Sequence, residues 1–190
     1  SASQPMPLRI ESSGSGHEAR LQVTLAQRFD SAFVLWHDDG AGWRLERGAM
    51  RLGDAGVEDL PQEPGIFVDG RVSRLDLPGY LRLWRQVRRE VLVPPLQAEL
   101  SVETLLLAGR SYSDVGLQLR RVETGTELHV QSGALQGMVR WPEETASTEP
   151  VEVRLARLDL PEPAAPAEVA PVLDVLSPAA RVSVDSLSWQ

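Results

Sequence analysis

Three histidines, His17, His37 and His129, and the acid pairs Asp38-Asp39 and Glu143-Glu144 are the side chains of this chain best suited to proton transfer or metal binding. A catalytic centre needs acids, bases or nucleophiles held at fixed mutual distances. His17 follows the Ser-Gly-rich stretch Ser12 to Gly16, which reads as a flexible turn. His37 precedes a turn at Asp38-Asp39-Gly40-Ala41-Gly42, and His129 sits between Leu128 and Val130 on the opposite face of an alternating strand. No two histidines stand at the i, i+2 or i, i+4 spacing through which one element presents two metal ligands. Adjacent carboxylates in turns point apart, unlike the opposed pair that flanks a glycosidic bond, and turn formation accounts for both acid pairs. Gly53-Asp54-Ala55-Gly56 lacks the further glycines or the Lys-Ser/Thr companions of a phosphate cradle. The chain is therefore expected to hold no catalytic residue, metal or cofactor. Trp36, Trp43, Trp84, Trp141 and Trp189 read as packing residues, although a row of exposed indoles would suit acyl chains or sugars.

Composition narrows the classes further. With 190 residues, 42% of them hydrophobic, the chain can build a sizeable core. A formal charge of −8, with arginines scattered among acids, lacks the clustered positive field that a phosphate backbone demands, so nucleic acid is not an expected partner. The same charge disfavours docking on an anionic membrane surface but leaves apolar binding of lipid tails open. Zero cysteines exclude disulfides and thiolate chemistry. No run approaches the roughly 18 to 20 apolar residues that span a bilayer, and Ser1 to Gln4 does not open a signal peptide.

The elements that must position any site are organised by a repeat. Four six-residue copies place apolar residues at positions 1, 4 and 6: Val72 to Leu77, Val102 to Leu107, Leu155 to Leu160 and Val184 to Trp189. The first and third copies start 83 residues apart and the second and fourth 82, and Arg-Leu-Asp-Leu-Pro recurs in the first and third. Strand side chains alternate faces, so this spacing demands one change of phase, for which a β-bulge is the simplest device. The alternative is a strand buried on both faces beyond the slip. Between the first two copies, Pro78 to Glu90 reads as a short amphipathic helix; a shorter one is expected near Pro171.

Ser111 to Trp141 reads as a meander, with Val115, Leu117 and Leu119, then Leu128 and Val130, then Leu135, Val139 and Trp141 between turns. Leu21–Leu25, 32–36 and 43–52 give three strands before the first copy. The fold expected is mainly β with short helices (α+β): an elongated, twisted antiparallel sheet or open groove of tandem units of about 80 residues. The divisions expected are 1–64 as an N-terminal β segment, 65–147 as a first unit and 148–190 as a shortened second. By the repeat, three strands should follow Gln190, so the chain is expected to be a piece of a longer protein.

Phe67 to Leu77, Leu105 to Arg110 with Val115 to Leu119, and Leu135 to Pro142 resemble the repeating core of the YhdP-type AsmA-like proteins of Gram-negative bacteria. The likeness runs from about Gly65 to Gln190 and is weaker before that. It implies a long periplasmic protein anchored in the inner membrane by parts absent from this chain, whose β units join into an apolar groove that carries phospholipid between inner and outer membranes. The partners implied are phospholipid acyl chains and neighbouring β-groove units. On that reading Val115, Leu117, Leu119, Leu128, Val130, Leu135 and Val139 are the candidates for the groove wall. The alternative from a different class is a structural or protein-interaction β module whose apolar faces pack on one another and whose partners meet only its sheet edges.

Overall fold

Alternating apolar and polar residues in runs of eight to thirteen, punctuated by glycine-containing turns, dictate strands with one oily face. The computed structural model describes residues 7–25, 29–38, 42–53, 56–57, 59–77, 94–123, 125–142, 150–161 and 180–189. They fall in two compact units, Ser1–Gly70 with Val91–Gln97 and Arg71–Glu90 with Ala98–Gln190.

The first unit contains strands β1 (Leu8–Ser15), β2 (Glu18–Leu25), β3 (Phe29–Asp38) and β4 (Gly42–Leu52), and the first half of β5 (Gly65–Asp76). The first four form an antiparallel meander; β5 then pairs parallel to β4. β2, β3 and β4 fall where alternation predicts them. β1 does not: Ser12 to Ser15, read as flexible turn, pair with β2 along their whole length. The glycine there serves close approach, since a Cβ on Gly14 would lie 2.5 Å from the Glu18 carbonyl oxygen. A register shift between Val34 and Leu35 places a bulge at Glu46 in β4.

The second unit takes the rest of β5, then β6 (Leu96–Leu107), β7 (Arg110–Val122), β8 (Gly125–Gln131), β9 (Leu135–Pro142), β10 (Val151–Leu160), β11 (Ala180–Val184) and β12 (Leu187–Trp189). β6 to β10 form the expected antiparallel meander, while β11 and β12 both pair parallel to β10. The sheets are thus mixed rather than antiparallel, because a connector that returns the chain to the same end before the next strand enforces parallel pairing. Both expected helices, Pro78 to Glu90 and near Pro171, lie outside the described residues.

The phase changes take more than one form. β10 slips against β9 between Leu155 and Arg157, leaving Ala156 as the extra residue of a true bulge. β6 keeps its register with β7 because both change phase together: Val102 faces Val115 and Leu105 faces Tyr112, all four buried. Asp114, at φ 52, supplies the local twist on β7. In the fourth copy the slip becomes a break, so that β11 and β12 pair with β10 at one common offset on either side of Asp185 and Ser186.

Candidate functional site

Registers show which side chains share a face. In the second unit Leu119, Leu128, Val139, Val153 and Val182 align across five strands, and Leu117, Val130, Gly137, Leu155 and Val184 form the next row. Val115 and Leu135 lie on the same face by strand parity. All seven residues singled out from the sequence thus lie on one face. They are not equally accessible: Val115, Leu117, Leu128, Val130 and Leu135 are between 1 and 8% exposed, forming a closed core with Leu75, Val102, Leu105 and Tyr112, while Leu119 and Val139 are partly buried at its margin.

The opposite face of this unit is charged. Arg120, Glu127, Arg140, Glu152 and Arg181 align across β7 to β11 with alternating sign. The His129 imidazole, 3.3 Å from Glu127, together with Arg120 at 3.1 Å, holds the Glu127 carboxyl below the usual carboxylate range. On β10 the buried Asp159 carboxylate accepts from Arg157 at 2.8 Å and from Ser188 at 2.5 Å. These two contacts lower its pKa and fasten β12 to β10.

The first unit repeats the two-faced design with a different finish. Its apolar rows are Leu8, Leu25, Phe29 and Leu52; then Ile10, Val23, Ser31, Met50 and Val68; then Leu21, Phe33, Gly48 and Ile66. Most of these side chains are half-buried, and Leu8 and Ile10 are 60% exposed. Sequence reasoning placed no site residue here. The alternation of Leu21, Val23 and Leu25 was a usable signal, but without β1 the face had no visible extent.

The connector from β4 to β5 packs on the other, polar side. Asp30 accepts from the Val57 N–H at 2.9 Å and from Thr24 at 3.0 Å. Arg51 donates to the Gly56 carbonyl at 3.1 Å and to both carboxylate oxygens of Asp69, and Arg47 donates to the Pro61 carbonyl at 3.3 Å. Partial burial raises the Asp30 pKa, but the hydrogen bonds from Val57, Thr24, Gln22 and Ser31 outweigh it and the net shift is downward. Val34, on this side, is completely buried.

Two histidines that the sequence separates by twenty residues are brought together. The His37 N–H donates to the His17 carbonyl at 2.7 Å, and His17 Nδ1 lies 3.2 Å from the His37 carbonyl. Their rings lie between Trp36 and Trp43, with successive centroids 6.2, 6.3 and 4.9 Å apart. Among the described residues no group of three or more metal-ligating side chains occurs. Asp39, Glu143, Glu144, Asp54, Ala55 and Trp84 lie outside the described residues, as does the Trp189 side chain. Also among the described residues, no helix is long and apolar enough to cross a membrane.

No curated protein and no solved structure matches the chain significantly. The sequence profile described as YhdP protein does match, over residues 1–190, which extends the resemblance seen from Gly65 onward to the first strands. A match over the whole length, on a chain of two-faced strands in the expected order, makes this chain a member of the YhdP family.

Proposed function

We propose that the chain is a non-catalytic segment of a periplasmic lipid-transfer protein, whose apolar sheet faces conduct phospholipid acyl chains between the inner and outer membranes. The observation that carries this reading is the side on which the first unit places its own cover. The connector spanning Val57 to Pro61 is fastened to the polar side by Asp30, Arg47 and Arg51, while Leu8 and Ile10 on the apolar side stay largely exposed. A chain folding only for its own stability would gain more by covering the oily side, at about 25 cal/mol for each Å² of apolar surface removed from water. Membership of the family supports the same reading. In the second unit Leu119 and Val139 meet acyl chains, while Val115, Leu117, Leu128, Val130 and Leu135 form the wall behind them. Membrane attachment belongs to parts of the parent protein beyond this chain.

One observation favours a second reading. The closed core of the second unit is what a structural β module without lipid binding would show. Native mass spectrometry of the purified chain, before and after incubation with phospholipid vesicles, separates the two. The conduit predicts bound phospholipid that is lost in Ile10→Asp while the fold is kept. No lipid before or after incubation supports the structural module.

A further inference from the structure

The apolar face of each unit is not uniform along its strands. In the first unit the rows holding Phe29, Ser31 and Phe33 are followed by the pair Leu35 and Leu45, and then by the pair His37 and Trp43 on the same face. The last pair belongs to the four-ring array, in which Trp43 is 53% exposed. In the second unit the row of Leu119, Leu128 and Val139 is followed by Arg121, Thr126 and Trp141. Each face therefore passes from aliphatic side chains to an indole with a hydrogen-bonding partner residue beside it. By each unit's own topology these rows lie at corresponding ends. Trp43 stands at the start of β4, which pairs parallel to its successor, and Trp141 stands beside the start of β10, which does the same.

The lengths fit a lipid laid along the strands. From Phe29 to His37, at about 3.4 Å per residue, is roughly 27 Å. One phospholipid leaflet with its headgroups, half of a bilayer some 40 to 45 Å thick, is roughly 21 Å. An indole offers an N–H donor on an apolar body, which suits the level where acyl chain gives way to ester and phosphate. Arg121 adds a permanent cation in the second unit.

We infer that these rows, His37 with Trp43 and Arg121 with Thr126 and Trp141, form a headgroup rim that takes the phosphate end of a phospholipid whose acyl chains lie along the strands. The inference rests on the conduit reading and adds an orientation to it: headgroups at the His37 and Trp43 end, chain termini near Leu8, Leu25 and Phe29.

The test compares binding of a phosphatidylethanolamine and of a diacylglycerol carrying the same acyl chains, to the full chain and to Trp43→Leu, Arg121→Gln and the double variant. Trp43→Leu keeps an apolar side chain at an exposed position and removes only the donor. Circular dichroism checks that every variant is folded, and either single variant alone suffices. The rim predicts that the double variant loses about tenfold in phospholipid affinity, the scale of one charge-assisted hydrogen bond, with diacylglycerol binding unchanged within about twofold. Equal losses for both lipids, or none for either, would overturn the rim and leave the conduit standing. Displacement of the phospholipid by inorganic phosphate alone would also overturn it, since the rows would then be a simple anion site. If the unaltered chain binds neither lipid, the conduit reading falls and the rim with it.

Discussion

The two units share a grammar, a meander of two-faced strands followed by a parallel pairing, yet they treat their apolar faces in opposite ways. In the second unit Leu105, Val102 and Val115 are sealed from water and the apolar rows are its core. In the first unit the comparable rows stay half-open, and the buried groups Val34 and Ala49 lie on the polar side with Asp30, Arg47 and Arg51. An apolar face is a pattern that sequence can write, but whether it serves stability or a ligand depends on what the rest of the chain lays across it. The first unit is accordingly the accessible lipid surface, and the second the more stable scaffold.

Truncations on the two faces should therefore differ most. Leu105→Ala, at a fully buried position, is expected to cost about 2 to 5 kcal/mol in urea unfolding, against within about 0.5 kcal/mol for Ile10→Ala. Comparable costs at the two sites would break the contrast. A smaller effect is expected from Gly48→Val in the first unit. Phe33 lies over Gly48, where a Cβ would sit 2.4 Å from its ring, so the ring must move outward and the face becomes rougher. Lipid binding should weaken several-fold with the sheet retained, as read by native mass spectrometry and circular dichroism; unchanged binding would remove this face from the path.

Acid sharpens the comparison more gently. The Asp30 carboxyl titrates below the value near 3.9 that it has in the unfolded chain, so the unfolded state takes up the proton first as pH falls. Its contribution is complete above about pH 4 to 5 and fades as pH falls through the lower folded value. Hydrogen exchange at the Val57 amide should then rise below about pH 4, relative to its intrinsic rate, and Asp30→Asn should show that rise already at pH 7. Protection at Val57 that is indifferent to both changes would mean that the connector is held otherwise.

Much of this was legible in the sequence for a simple physical reason. Period-two alternation fixes parity, and parity alone puts Leu117, Leu119, Leu128, Val130 and Val139 on one face once the turns after Val122 and Gln131 are recognised. Burial was not legible, because it depends on what lies across a face rather than on the strand itself. β1 was hidden because Ser12 to Ser15 carry turn-forming residues, and the long β2 that pairs with them imposed the strand. The phase changes were visible as spacing, but spacing cannot say whether a strand bulges alone, as β10 does against β9, or slips with its partner, as β6 does with β7.

The most direct test of the central claim uses a phospholipid carrying a photoreactive diazirine at an acyl terminus, crosslinked to the folded chain and mapped by peptide mass spectrometry. The account predicts adducts on first-unit peptides holding Leu8, Ile10, Leu25 and Phe29, and few on Val115 to Val130. Adducts concentrated on the polar side around Gln22 and Arg47, or on the closed core of the second unit, would contradict it.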